Sequence, residues 1–228
     1  MSDEDRHYPK SVSGQPLALE QRSEAQDGRR YSPSTGRNKD IVRATFLEHV
    51  LNAGRVLEIA SGTGEHGAHT TQAALGIIWT YSDIDPAGHT SQTGWRQAAA
   101  HDRLLGPLMI DTTTPDWGLE HAAAGYQALF CANMIHIAPF EAAVGLLTGA
   151  GAILKRGGRL CFYGPFSVSG EMAPSNARFS EDLKRRDPSW GVRDLQLDIV
   201  PIAQRHGLTL SQVIEMPANN LTVVFEKF

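Results

Sequence analysis

The sequence predicts a doubly wound α/β domain built on a mostly parallel, seven-stranded sheet, and two patterns in the chain lead to this prediction. First, five short apolar segments alternate with helical patterns between residues 55 and 163, which is typical of a parallel sheet covered on both faces. Second, the chain ends on two apolar strands separated by a turn-forming run, which predicts an antiparallel hairpin at one edge of the sheet. A length of 228 residues suits one core of this kind.

Each element is placed by its apolar periodicity and by the Gly, Pro, Asn or Asp residues that bound it. The predicted strands are Arg55–Ala60, Ile77–Ser82, Leu105–Ile110, Tyr126–Ala132, Arg159–Tyr163, Leu208–Glu215 and Leu221–Phe228, the last two joined by a turn at Met216–Asn220. The predicted helices are a stripe running from near Asn38 to Gly54, then Glu65–Leu75, Ala87–Ala100, Pro115–His121, Pro139–Leu154 and Leu195–His206.

Two polar segments lie outside this alternating pattern. Residues 1–30 lack sustained periodicity and are expected to form a mobile N-terminal arm, so that residues 31–228 make up a single domain. An insertion at residues 164–194 follows the carboxyl end of the fifth strand, where ligands bind in open α/β sheets, and it is interpreted as a lid. Because such a sheet leaves its cleft open to water, residues 31–39 are expected to fold over the bound cofactor together with that insertion.

Composition excludes several classes of protein. A formal net charge of −4 gives no global attraction to nucleic acid or to anionic lipid. The chain has neither an apolar run of membrane-spanning length nor a signal peptide, which predicts a cytoplasmic protein without a membrane partner. We also expect no nucleic-acid partner, and a monomer or homodimer. Cys131 and Cys161 lie in apolar segments and are expected to be reduced core thiols. No histidine or cysteine spacing suggests a metal site.

The sharpest motif is a strand that runs directly into a small-residue turn and a helix, at residues 56–66. Gly62 and Gly64 let the backbone approach a ligand closely, and the helix start offers free amide donors. A dinucleotide fingerprint would require a glycine where Ala60 stands, and that spacing is absent. The acidic Glu58 can act through water on the amino-acid ammonium of S-adenosylmethionine, or it can cap loop amides. The motif therefore favours S-adenosylmethionine, held by Glu58, Ala60, Ser61, Gly62 and Gly64.

Acidic side chains follow the next two strands. A carboxylate at the tip of the second strand can accept both ribose hydroxyls. Asp85 is favoured for that role by its distance from the strand, and Asp83 either shares it or caps the following helix. After the third strand, Asp111 can accept from an adenine amino group or cap the helix Pro115–His121. The order of these sites along the chain favours the cofactor role.

The fourth strand ends in Asn133 and His136, beside the glycine turn across the switch point of the sheet. The methyl-bearing end of the cofactor should meet its substrate there. Asn133 can position the substrate or the cofactor's amino group, and His136 can accept a proton from a nucleophile or merely pack. The run is not the Asn/Asp-Pro-Pro-Tyr sequence of many amide and adenine N-methyltransferases, which argues against that chemistry.

These residues resemble domain-of-unknown-function family 938, the family that includes methyltransferase-like protein 26. The resemblance extends from about residue 30 to the end, in the runs Arg37–Lys39, Leu57–Gly64, Ser82–Asp85, Ala132–Ile137, Tyr163–Phe166, Ser175–Asn176, Asp187–Asp194 and Met216–Asn220. It implies the class I methyltransferase fold and S-adenosylmethionine as cofactor, and it supplies no substrate. Family members carry an acidic residue before the Arg-Asn-Lys run where this chain has Gly36, so no substrate role is carried over to the arm.

The leading hypothesis is methylation of a small molecule on O, N or S, because no added recognition domain accompanies the core. The alternatives are methylation of protein or RNA, and a non-catalytic cofactor-binding scaffold. Asn133 and His136 are the catalytic candidates. The substrate-binding candidates are Tyr31, Asn38, Tyr163, Phe166, Asn176, Trp190, Arg193 and Asn219, with Lys39, Ser175, Asp194 and Asn220 beside them. Alternatively, Trp190 and Phe166 pack the insertion, Asn219 makes the turn, and Arg193–Asp194 is a local ion pair.

Overall fold

The computed structural model describes residues 20–119 and 125–228. The strands are β1 Ser23–Glu24, β2 Arg30–Tyr31, β3 Gly54–Ile59, β4 Ile77–Asp83, β5 Leu104–Met109, β6 Tyr126–Ala132, β7 Leu154–Pro165, β8 Leu208–Met216 and β9 Asn220–Lys227. The helices are α1 Pro33–His49, α2 Glu65–Ala73, α3 Pro86–Ala98, α4 Phe140–Ile153, α5 Pro174–Arg186 and α6 Val200–Arg205.

The main sheet has seven strands in the order β5-β4-β3-β6-β7-β9-β8. The first five are parallel, as the pairings Leu57↔Thr80 and Leu57↔Leu129 show for β3 and its two neighbours. β9 pairs antiparallel with both β7 and β8. This confirms the doubly wound fold with its C-terminal antiparallel hairpin. The chain leaves β3 in one direction and β6 in the other, so a switch point opens at the carboxyl ends of these two strands.

Apolar side chains cover both faces of the sheet. Leu57, Leu129 and Phe162 point to the face covered by α4 and α6, whereas Val56 and Phe130 point to the face covered by α1. Alternate residues of one strand therefore feed two cores, as expected for a sheet buried on both sides. The thiols of Cys131 and Cys161 are buried and free, as predicted.

Several element boundaries differ from the sequence prediction. α1 begins at Pro33 rather than near Asn38, because the Ser32 side chain accepts a hydrogen bond from the Thr35 amide and proline suits the first turn of a helix. The single helix predicted for residues 195–206 is a π-helical turn, Leu195–Ile199, followed by α6.

Two further differences lie near the rim of the sheet. Residues 115–119 form no helix, so the helix predicted for residues 115–121 is wrong over this part, and its last two residues lie outside the described chain. The insertion at residues 164–194 contains the helix α5, for which the sequence had given no bounds, although the run Lys184–Arg186 was expected on the solvated face of a helix.

The N-terminal segment at residues 20–32 packs beside the glycine turn. β1 and β2 pair antiparallel, the Arg30 amide donates to Ser91 Oγ of α3 at 2.8 Å, and the Ser32 amide donates to Glu65 Oε2 of α2 at 2.7 Å. Residues 1–19 of the predicted arm lie outside the described residues, and the mobility of residues 1–30 stays a prediction. Across the described chain, no helix has the length and apolar character needed to cross a membrane.

Candidate active site

The glycine turn between β3 and α2 has a backbone that few side chains tolerate. Ala60, Gly62 and Gly64 all have positive φ values, of 56°, 56° and 86°. A Cβ on Gly64 would lie 3.2 Å from Trp95 Cδ1 and 3.3 Å from Gln92 Cα. Only glycine fits there without strain. The turn therefore carries the backbone to the carboxyl edge of the sheet at the start of α2, and its Gly62 and Gly64 amides are bonded to Asp83 and to the Ser61 carbonyl.

Asp83 is the carboxylate that faces this turn. It is buried at the end of β4, and its Oδ2 accepts the Gly62 amide at 2.7 Å while its Oδ1 accepts the Asp85 amide at 2.9 Å. Burial raises the pKa of Asp83, and these two backbone bonds act in the opposite direction. Gln92 of α3 lies alongside, with Nε2 donating to the Gly62 carbonyl at 3.1 Å. Asp83 thus connects β4 to the glycine turn.

Asp85, favoured from the sequence for the ribose, is the N-cap of α3. Its Oδ1 accepts the Ala87 amide at 2.8 Å, and Pro86 occupies the first turn. The alternative in which Asp83 caps this helix is therefore wrong, since the cap is two residues later. The sequence could not separate the two aspartates because both follow a strand and precede a helix.

Glu58 is buried inside β3, with 1% of its surface exposed. Its Oε2 accepts the indole N–H of Trp79 at 2.9 Å. Burial raises the pKa of Glu58 to about 8, and the Trp79 and Ser61 side-chain hydrogen bonds limit that rise. Its partners are thus side chains rather than the loop amides that the capping alternative required. Trp79 lies on the neighbouring strand β4, and nothing in the sequence pointed to that pairing.

Ser61 and Asp111 support local backbone. The Ser61 amide donates to the Ser82 carbonyl at 2.8 Å, and Ser61 Oγ accepts the Ser82 amide at 3.1 Å, which joins β3 to β4. Asp111 Oδ1 accepts the amide and hydroxyl of Thr113 at 2.9 and 2.7 Å. Asp111 therefore closes a turn rather than capping the predicted helix at residue 115.

Arg22 enters the site from the N-terminal segment. Its Nη2 lies 3.7 Å from where a Cβ of Gly62 would be, and its positive charge lowers the pKa of Asp83. Its Nε is buried without a hydrogen-bond partner in the structure. Arg22 also lines an open cavity of about 430 Å³ together with Tyr31, Lys39 and Glu65. Sequence analysis missed Arg22 because it precedes the glycine turn by forty residues and belongs to no motif.

A second cluster forms where β6 and β7 end. Asn133 adopts a left-handed conformation, with φ of 61°, and its amide donates to the Tyr163 carbonyl at 2.8 Å. His136 is 1% exposed and packs edge-on against Phe166, with 5.0 Å between ring centroids. Burial lowers the pKa of His136 to about 3, and the charge of Arg193 adds to this effect. The imidazole is therefore neutral at ordinary pH.

Arg193 and Asp194 fasten the insertion to this cluster. The Arg193 guanidinium donates to the carbonyls of Ile135, Ala138 and Ser189 at 2.7–2.9 Å. Asp194 accepts from backbone amides, including that of Gly170 at 2.7 Å. The two side chains thus bind backbone rather than each other, and the interpretation as a local ion pair is wrong. Arg193 acts as a positioning residue in this arrangement.

Two other substrate candidates meet on the face covered by α1. The Asn38 side chain donates to the hydroxyl of Tyr163, whose pKa is raised by burial and lowered by this bond. Asn38 Oδ1 is buried without a partner in the structure, as is Nε1 of Trp190, which is 1% exposed. Each therefore keeps an unused polar atom near the carboxyl edge of the sheet.

The remaining candidates hold elements together. Asn176 Nδ2 donates to the Asn219 carbonyl at 2.8 Å, and Asn219 Nδ2 donates to Ser175 Oγ at 2.9 Å, which joins α5 to the β8–β9 turn. Asn219 also has a positive φ of 57°, in line with the turn-forming alternative. Tyr31 packs edge-on against Trp95 at 5.3 Å. No group of three or more His, Cys, Asp or Glu residues within 20–119 and 125–228 is arranged to hold a metal ion.

A family model described as a protein of unknown function, DUF938, matches residues 29–227. The chain belongs to this family. Membership in DUF938 confirms the resemblance drawn from the sequence motifs. The match covers both clusters described above, apart from Arg22, and the insertion that joins them.

Solved structures of methyltransferases share the fold of this DUF938 member. An O-methyltransferase family protein from Burkholderia thailandensis superimposes with a TM-score of 0.69, at 14% identity, over 85% of this chain and 56% of that one. An O-methyltransferase family 2 protein from Planctomyces limnophilus, solved with apigenin, superimposes with a TM-score of 0.64 at 17% identity, over 86% of this chain and 60% of that one. Human N-acetylserotonin methyltransferase, solved with SAM, superimposes with a TM-score of 0.65 at 14% identity, over 85% of this chain and 52% of that one.

The chain spans a little more than half the length of these three proteins. Similarity at such low identity establishes the class I methyltransferase fold. It assigns neither a substrate nor an activity to this chain, because one fold hosts many functions.

Proposed function

We propose that this protein is an S-adenosylmethionine-dependent methyltransferase that acts on O, N or S of a small molecule. The observation that carries the proposal is the bond between the Gly62 amide and the buried Asp83 carboxylate, at 2.7 Å. It places a glycine turn, a helix start and a carboxylate around one crevice at the switch point. That combination suits a nucleoside carrying an amino-acid group.

The residues around this crevice fit the cofactor. Two buried polar atoms beside it lack partners in the structure, Arg22 Nε and Gln92 Oε1. Unpaired buried polar atoms are uncommon, and a polar ligand would satisfy them. Asp83 keeps lone pairs for the ribose hydroxyls, and we assign that role to it rather than to Asp85, which caps α3. We assign the amino-acid carboxylate to Arg22.

Other residues complete the proposed cofactor site. Glu58 acts through water on the cofactor's ammonium, Asp111 accepts from the adenine amino group, and Asn133 faces the methyl-bearing end. Ala60, Ser61, Gly62 and Gly64 shape the turn. The bound cofactor supplies an electrophilic methyl group on a sulfonium sulfur. The protein's task is to hold the acceptor atom in line with that bond and to exclude water.

The acceptor site is proposed at the cluster of Asn133, His136 and Phe166. The insertion covers this cluster, because the Arg193 side chain donates to the Ile135 carbonyl and the Gly191 amide donates to the His136 carbonyl. Asn38, Tyr163 and Trp190 supply unused polar atoms or polar surface at the same edge. Asn176 and Asn219 act indirectly, by holding α5 against the hairpin turn. A covered site favours a small molecule. We predict further that the enzyme is cytoplasmic, needs no metal, and is a monomer or homodimer.

Transfer of labelled methyl groups tests the substrate class. The protein is incubated with methyl-labelled S-adenosylmethionine and either the small-molecule fraction or the macromolecular fraction of a cell extract. We expect label in a small-molecule product, and Asp83→Asn should reduce it when S-adenosylmethionine is below saturation. Label confined to protein or RNA would reassign the substrate. Absence of transfer to either fraction, with cofactor bound, would favour a non-catalytic binding protein.

A further inference from the structure

The imidazole of His136 is held in one tautomer by the backbone of the insertion. Its Nδ1 accepts the Arg193 amide at 3.3 Å. A backbone amide can only donate, so Nδ1 must be the unprotonated nitrogen of the neutral ring. The single ring proton is then on Nε2. This tautomer follows from the hydrogen-bond network, as it does for any histidine in a protein structure without visible hydrogens.

The Nε2–H group has no partner. Nε2 is buried and makes no hydrogen bond in the structure. A Cβ at Gly164 would lie 3.0 Å from Nε2 and 3.0 Å from Asn133 Oδ1. Glycine at this position therefore keeps a side chain out of the space beside the donor. Buried donors without partners are rare in proteins, and at a ligand site the missing partner is expected to come from the ligand.

The ring cannot easily turn to find another partner. Phe166 packs edge-on against it, the Gly191 amide donates to the His136 carbonyl at 2.9 Å, and Arg193 Nε donates to the adjacent Ile135 carbonyl at 2.9 Å. These three contacts from the insertion involve the His136 ring once and the backbone of residues 135 and 136 twice. The direction of the Nε2–H bond is fixed by the fold before any ligand arrives.

We propose that His136 is a hydrogen-bond donor rather than a general base, and that its Nε2–H binds an acceptor oxygen of the methylated substrate. The substrate therefore carries a carbonyl oxygen or an oxyanion next to the atom that receives the methyl group. This inference rests on the proposed function for the identity of the bound molecule. To accept a proton at Nε2, the ring would first have to move its Nε2 proton to Nδ1, which accepts the Arg193 amide. It would then become charged while buried, and both steps are unfavourable here.

Nitrogen NMR on protein with labelled histidines tests the tautomer directly. His136→Phe identifies the resonances among the nine histidines, and His136→Gln serves if the phenylalanine variant does not fold. We expect a protonated Nε2 and an unprotonated Nδ1 at neutral pH. A protonated Nδ1, a charged ring, or an average of the two tautomers would overturn the proposal.

A matched pair of probes tests the ligand class. Acetophenone carries a carbonyl oxygen, and α-methylstyrene has the same shape with a methylene group in its place. In protein saturated with S-adenosylhomocysteine, acetophenone should shift the Nε2–H resonance of His136, and α-methylstyrene should not. Equal shifts, or no shift with acetophenone up to its solubility limit, would overturn the oxygen-acceptor assignment. The tautomer measurement needs no cofactor, so failure of S-adenosylhomocysteine to bind would refute the proposed function separately.

Discussion

Buried carboxyl groups have the largest chemical consequences at the scale of single residues. Glu58 and Asp83 lie at the ends of neighbouring strands, and burial raises the pKa of both. Glu58 is bonded to Trp79, whereas Asp83 is bonded to the backbone of the glycine turn. The first carboxyl is therefore enclosed by side chains, and the second is presented to the proposed ribose.

Replacing Glu58 by Gln should remove part of the pH dependence of stability. The pKa of Glu58 is about 8 in the folded chain, compared with about 4.3 for an exposed glutamate. The unfolded chain thus loses this proton first as pH rises. The contribution of protonated Glu58 to the free energy of unfolding is complete below the pKa that Glu58 has in the unfolded chain. It is lost as the pH rises from about 4 to about 8. Gln can still accept from Trp79, so the variant isolates the charge.

Chemical unfolding of both proteins across this range measures the effect. The stability of wild type relative to Glu58→Gln should fall as pH rises, by roughly 1.4 kcal/mol for each unit separating the two pKa values, taken as an upper estimate. His66 and His136, whose pKa values are lowered by burial, titrate in both proteins and cancel. A difference that stays constant with pH would show that Glu58 is ionised in the folded chain.

Substitution of the two aspartates at the end of β4, Asp83 and Asp85, should have different effects on cofactor binding. Asp83→Asn should weaken the binding of S-adenosylhomocysteine by about 1–3 kcal/mol, because charge-assisted hydrogen bonds to the ribose are lost. Asp85→Asn is the matched control, because Asn caps a helix about as well as Asp. Calorimetry on both variants, with melting curves to confirm folding, decides the assignment. Weaker binding in Asp85→Asn alone would return the ribose to Asp85.

Residue positions were predictable where the chain order determined them. The acidic strand ends and the glycine turn lie where the strand–helix alternation placed them. The choice between Asp83 and Asp85 was not predictable, because it depends on which carboxylate turns toward Gly62. Arg22 and Trp79 were not predictable either, since their contacts join segments distant in sequence.

At the scale of elements, the N-terminal segment is the part that the cofactor should affect most. Two backbone hydrogen bonds attach it to the core, from the Arg30 amide to Ser91 Oγ and from the Ser32 amide to Glu65 Oε2. Arg22 extends from it toward Gly62. Tyr31 also packs against Trp95. A terminal segment held by such contacts can open locally at a lower free-energy cost than global unfolding.

Hydrogen exchange with and without S-adenosylhomocysteine tests this element. Amides of residues 20–39 should exchange more slowly in the complex, because the ligand gives Arg22 a partner and closes the segment over the cleft. The amides of β8, at the far edge of the sheet, serve as an internal control and should not change. Equal exchange of residues 20–39 in both states would leave the segment as a plain tether.

Element prediction succeeded where the apolar pattern was strong. β6 was predicted at its observed bounds, Tyr126–Ala132, because a continuous apolar run is bounded by polar residues. The bounds of α5 were not predicted, because its sequence is mostly polar; Asn176 and Ser175 join it to the hairpin turn through Asn219. The N-cap of α1 at Ser32 was hidden by the polar composition of the segment around it.

At the scale of the whole molecule, the sheet order follows from a few rules. Right-handed crossovers between parallel strands and a C-terminal hairpin leave few possible topologies. The order β5-β4-β3-β6-β7-β9-β8 then places the glycine turn of β3 next to the end of β6. The cofactor crevice and the His136 cluster are neighbours for this topological reason, although they lie more than seventy residues apart in the sequence.

A calorimetric titration of the wild-type protein with S-adenosylhomocysteine tests the central claim most directly, with a reduced nicotinamide dinucleotide as the competing ligand. The account predicts one S-adenosylhomocysteine bound per chain, a higher melting temperature in its presence, and no binding of the dinucleotide. Binding of the dinucleotide without binding of S-adenosylhomocysteine would contradict this assignment, because the glycine turn and Asp83 would then serve a different cofactor.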